Sequence, residues 1–143
     1  MLWGDVKMKT TFTKEEIIKL LIEYYKRLEG RDVTVEISVK KELVGFYELE
    51  ECVTTFAIVE KMDVAGIHKE VETILSTDEL KNNLGALLNL YEFDLVSFSI
   101  DSGLSSTCEG YGIGEWIVKE PYFNGITVQI DKNKGNRKAK SYI

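Results

Sequence analysis

The chain has 143 residues, enough for one ordinary domain and too few for two. Its 44% hydrophobic and 10% aromatic content supports a packed core and excludes global disorder. With 24 Asp and Glu against 18 Lys and Arg, the net charge of -6 argues against a dedicated nucleic-acid binder. One histidine, one proline and two cysteines leave most catalytic and metal constellations without their parts.

The charge is unevenly placed. Lys132, Lys134, Arg137, Lys138 and Lys140 fall in the last dozen residues with no acid among them, and subtracting that +5 from -6 leaves residues 1–131 at -11. Residues 132–143 therefore read as a basic, solvated tail. At the other end, the codons of Trp3-Gly4-Asp5 can spell TGGGGAGAT, a purine-rich run placed like a ribosome-binding site before Met8. Residues 1–7 are expected to be a translated leader or a frayed terminus, with one domain over 8–131. No run of eighteen apolar residues is present, so no membrane span is expected. No signal peptide is legible, and Cys52 and Cys108 read as free thiols in a reducing, cytoplasmic setting.

Thr13-Lys14-Glu15-Glu16 is a capping box, with Phe12 and Ile17 as its staple. Ile17, Leu20, Leu21, Tyr24 and Leu28 then recur at helical spacing and Gly30 suits a left-handed stop, which predicts a helix over about 14–29. Val33, Val35, Ile37 and Val39 alternate with polar residues and predict a strand. Residues 46–49 and 52–60 read as two further strands broken by Glu48, Glu50 and Glu51, and 67–75 as another, with helix the alternative for 67–71. Ser76-Thr77-Asp78-Glu79 is a second capping box, stapled by Leu75 and Leu80, and opens a helix over about 77–91. Gly85 inside it points to a close packing contact. Strands at 96–100 and 126–130 follow, separated by a long connection, 101–125, that holds five of the 11 glycines and the only proline. The expected fold is α+β, two helices packed on one mostly antiparallel sheet of about five or six strands.

Few constellations carry chemistry. Gly110-Tyr111-Gly112-Ile113-Gly114 lacks the final glycine of a dinucleotide fingerprint, Glu115 standing there, and the Gly-Lys-Ser/Thr of a phosphate loop. It reads as a structural loop. His68 lacks ligand-like spacing to Cys52 or Cys108, so no metal, cofactor or catalytic residue is expected. The acids Glu48, Glu50 and Glu51, with Glu109 and Glu115, read as a solvated face or as a negative surface for a basic partner. Tyr111, Trp116, Tyr122 and Phe123 read as loop anchors or as an aromatic platform.

Thr11-Phe12-Thr13-Lys14-Glu15-Glu16, Ser76-Thr77-Asp78-Glu79-Leu80, Gly110-Tyr111-Gly112 and Lys119-Glu120-Pro121-Tyr122-Phe123-Asn124-Gly125-Ile126 together resemble small uncharacterised proteins carried by phages and prophages of low-GC Gram-positive bacteria. The resemblance implies a class only: small, cytosolic, acidic accessory proteins, some of which bind and block host defence machinery. The expected function is a non-enzymatic acidic binding protein, an inhibitor of a nucleic-acid-handling host complex of the CRISPR type. Its partner would be a protein with a basic surface, with neither direct nucleic-acid nor membrane binding and with a homodimer open. The alternatives are a small-molecule or nucleotide binder using residues 101–125 beside Arg27, Arg31 or Lys119, and a structural or assembly subunit.

Overall fold

A computed structural model describes residues 7–47, 49–110 and 116–133, with the backbone alone for Glu109 and Trp116. The elements run β1 (Lys7–Phe12), α1 (Lys14–Leu28), β2 (Thr34–Val44), β3 (Leu49–Val64), β4 (Ile67–Ile74), α2 (Thr77–Leu90), β5 (Phe93–Glu109) and β6 (Trp116–Lys132).

Both helices start as their capping boxes dictate. The Glu16 amide donates to Thr13 Oγ1 at 3.2 Å while the Thr13 amide donates to Glu16 Oε1 at 2.9 Å. Ser76 and Glu79 repeat the exchange at 3.1 Å each way. α1 buries Ile17, Leu21 and Tyr25, and the chain leaves it through Gly30 at φ +64. Tyr25 keeps its hydroxyl satisfied inside the core by accepting from Asn83 Nδ2 at 3.1 Å. α2 buries Leu80, Leu84, Leu87 and Leu88 on one stripe.

The fold is α+β with antiparallel pairing throughout, but its strands divide between two three-stranded sheets, β1-β6-β5 and β2-β3-β4, rather than forming one sheet of five or six. β2, β3 and β4 satisfy one another as a local meander, and the first and last strands meet where Lys7–Phe12 pairs with Ile126–Asp131. Each sheet turns one face to a shared core. Val35, Ile37, Phe56 and Ile58 come from one, Ile126, Val128 and Ile130 from the other, and Ile17, Leu21, Leu80, Leu84 and Leu88 from the two helices. Lys7 thus opens β1 and Lys132 closes β6, inside the ordered body rather than in the leader and tail where the sequence reading put them.

The long connection over 101–125 is the main correction: apart from Gly110 its described parts are strand, paired from Phe93↔Lys132 out to Glu109↔Trp116. Ser102, Ser105, Ser106 and Thr107 suit an exposed ladder but give no apolar alternation, which is why a loop was the natural reading. Two of its glycines answer close contacts. Gly125, at φ +115, sits where the register slips between Asp101 and Ser102, and a Cβ there would lie 2.2 Å from the Phe12 carbonyl oxygen. Gly103 lies under the ring of its cross-strand partner Tyr122. Pro121 falls within β6 instead of marking its start. It is tolerated because β1 reaches only as far as Ile126, so β6 has no β1 neighbour there to receive an N–H. The second correction concerns 46–60: β2 runs on to Val44, Phe46 and Tyr47 occupy the turn, and β3 continues unbroken through Glu50 and Glu51.

Candidate binding site

β3 is the shared strand of two hairpins that overlap little. It pairs with β2 from Leu49 to Val59 and with β4 from Ala57 to Val64, so only Ala57, Ile58 and Val59 have neighbours on both sides. Alternation places Val35, Ile37, Phe56 and Ile58 on the core face and sends the intervening residues to the opposite, uncovered face. That face carries Glu36 and Glu42 on β2, Glu51 and Asp63 on β3, and Glu70 and Glu72 on β4, all exposed. Against these six carboxylates stand two lysines, Lys40 and Lys61. Lys61 lies opposite Glu70, and His68 pairs with Asp63. Glu36, Glu42, Glu51 and Glu72 have no such cross-strand cation. Glu42 and Glu51 are direct register partners, a like-charge juxtaposition that weakens a sheet unless a cation meets it from outside.

At the far end of the β2–β3 hairpin the apolar content turns outward. Leu43 is 62%, Phe46 94%, Tyr47 82% and Leu49 63% exposed. The two rings touch only edge to face, with centroids 5.5 Å apart. This tip was not among the residues singled out from sequence, because Phe46 read as the first residue of a strand. The available signal was Gly45, at φ +79, which marks a turn directly before two aromatics.

The residues singled out from sequence fall in three groups. Glu48, Tyr111 and Glu115 lie outside the described residues, and Glu109 and Trp116 are described as backbone, paired with each other at the ends of β5 and β6. Glu50 and Glu51 sit side by side but on opposite faces, Glu51 on the acidic face and Glu50 towards Lys41, whose Nζ lies 3.8 Å from its Oε1. Tyr122 and Phe123 are half-buried and engaged in packing. Tyr122 covers Gly103, and Phe123 meets Phe56 edge to face with centroids 5.7 Å apart. Around them the β5–β6 hairpin is fastened to the β2–β3 hairpin: Cys52 Sγ donates to the Tyr122 carbonyl at 3.7 Å and Lys41 Nζ to the Lys119 carbonyl at 3.1 Å. Cys52 and Cys108 are not bonded to each other.

Of the cations that a nucleotide reading would use, both arginines are already engaged. Arg31 holds Glu60 through two nitrogens, at 2.9 and 3.1 Å, and Glu29 through a third, and it lies over the Tyr25 ring. Arg27 donates to both Glu23 Oε1 and Tyr91 Oη at 3.0 Å. Four clefts among the described residues are lined by neither Tyr122 nor Phe123. Among the described residues no three His, Cys, Asp or Glu side chains converge as metal ligands, and no helix is long and apolar enough to cross a membrane. Compared with protein-family models, curated proteins and solved structures, the chain matches none.

Proposed function

We propose that this is a non-enzymatic binding protein whose uncovered β2–β3–β4 face meets a basic surface on a protein partner. The observation that carries the reading is the imbalance on that face, six carboxylates against two lysines, on a sheet that gives Val35, Ile37, Phe56 and Ile58 of its opposite face to the core. Charge ordered on a sheet steers encounter with an oppositely charged surface and selects among partners more than it adds raw affinity. The Glu42–Glu51 pair adds a reason for a partner, since a lysine or arginine between them relieves a repulsion the free protein carries. A groove built to hold nucleic acid is the kind of basic surface that fits, which makes a CRISPR-type host defence complex the finer form of the proposal.

The test is an affinity capture from host lysate followed by titration of the purified pair. Binding should weaken steadily as salt is raised. The double reversal Glu36→Lys/Glu72→Lys should weaken it about tenfold or more, mainly through slower association. An affinity indifferent to both salt and charge reversal would remove the reading.

A further inference from the structure

The β2–β3 turn is built from residues the turn itself does not require. Gly45 supplies the positive φ, and a Cβ there would meet nothing within 4 Å. Turn positions of this kind favour Gly, Asn and Asp rather than large aromatics. Phe46 and Tyr47 nevertheless follow, more exposed than any other large hydrophobic side chain described, and none of Leu43, Phe46, Tyr47 and Leu49 packs into or against the core. Fold stability does not account for four large apolar side chains at the end of a projecting ribbon.

We infer that Leu43, Phe46, Tyr47 and Leu49 form an anchor that enters an apolar pocket on a protein partner, a pocket rimmed by lysine or arginine. The inference rests on the proposed function in one respect, that the partner is a protein with basic surface. The charge around the tip chooses this occupant. Glu42, Glu50 and Glu51 lie within two strand positions of the anchor, Glu51 opposite Glu42 and Glu50 opposite Leu43. The one lysine beside them on the inner side, Lys41, is held by Glu50 and the Lys119 carbonyl. A second copy docking tip to tip would bring two sets of these carboxylates together, and nucleic acid or an anionic lipid surface would be repelled. A pocket with a cationic rim takes the rings into its centre and pairs the glutamates at its edge, the arrangement in which aromatic anchors bind most strongly.

The experiment uses the full chain with a photo-crosslinking benzoylphenylalanine at position 46, at 47, or, as a control, at Lys9 on the exposed face of the other sheet. Adducts formed in host lysate are mapped by mass spectrometry, and the crosslinked protein is then purified and titrated. Positions 46 and 47, but not 9, should crosslink to one protein, within an apolar depression bordered by Lys or Arg. Phe46→Ala/Tyr47→Ala should weaken that complex roughly 30-fold or more with Tm unchanged. Adducts scattered over unrelated proteins, a lowered Tm, or a Kd within twofold of the parent would each overturn the anchor. A Kd that resists this substitution yet falls with Glu36→Lys/Glu72→Lys overturns the anchor and leaves the acidic-face reading standing; the converse result keeps the anchor and removes that reading. Two further measurements decide against a protein pocket. Co-sedimentation with neutral phosphatidylcholine vesicles that the double alanine variant abolishes would assign the tip to membranes. A dimer in sedimentation equilibrium that the same variant dissociates would assign it to a second copy.

Discussion

The glycines show how one residue type serves opposite ends. Gly125 holds φ +115, and the space a Cβ needs is occupied by the Phe12 carbonyl 2.2 Å away, in the backbone of the neighbouring strand. Neither partner can yield without breaking the β1–β6 ladder, so Gly125→Ala should destabilise by about 2–4 kcal/mol in denaturant unfolding. Gly85 lies in a helix with ordinary φ, and its Cβ would meet the Leu95 side chain at 3.6 Å, a normal contact. Here the helix propensity of alanine decides the sign, and Gly85→Ala should raise stability by about 0.5–1 kcal/mol. The sequence pointed to a close contact at Gly85, where a Cβ in fact fits, and not at Gly125, since a positive φ imposed by a strand more than a hundred residues away leaves no local trace.

Elements whose signals are local were the ones legible in advance. Both capping boxes, both apolar helix stripes and the alternation of Val33 to Val39 rest on residues within one or two turns of each other, and each element begins within a residue of where those residues put it. What the sequence could not disclose is how the helices are tied to their neighbours. The end of α2 is fastened to α1 by Tyr91, whose hydroxyl donates to Glu23, with Arg27 donating to both. The Tyr91 hydroxyl and then Arg27 hold the Glu23 carboxyl below its ordinary value of 4.5, while the same contact raises Tyr91 above 10.0. Arg31 lowers Glu60 in the same way. A carboxylate whose folded pKa is depressed contributes fully above its unfolded value and is lost as pH falls through the folded one. A tyrosine whose pKa is raised contributes below 10.0 and is lost as pH rises past its folded value. Stability should therefore decline on acidification below about pH 4.5 and again above about pH 10. Glu23→Gln and Glu60→Gln should each flatten the acid limb, and Tyr91→Phe should shrink the acid limb and part of the alkaline one, to which Tyr24 and Tyr25, both raised first by burial, also contribute. Unfolding midpoints measured across pH read this directly; unchanged slopes in Tyr91→Phe would show the contact to be idle.

Over the whole molecule, the pairing of distant segments is what local pattern missed. One sheet of five or six strands and two sheets of three share the same strand propensities; the choice depends on Lys7–Phe12 finding Ile126–Asp131 and on β2, β3 and β4 closing among themselves. The same topology distributes stability unevenly. β3 is paired on both sides only at Ala57, Ile58 and Val59, and Phe56 and Ile58 there are also buried in the shared core. Towards the tip the molecule is a two-stranded ribbon, an arrangement that is marginal by itself, braced here by Cys52 and Lys41 against the backbone of β6. Opening the ribbon exposes little that is not exposed already, while opening the middle of β3 breaks the core shared by both sheets. Amides of Ala57 to Val59 should thus exchange only through global unfolding, and those of Lys40 to Val44 through local opening at rates roughly 100-fold faster or more. Hydrogen exchange under native conditions tests this strand by strand. Equal protection along β3 would mean that the hairpin ends are held as firmly as the core, and the tip would then be a rigid projection rather than one free to adjust as it docks.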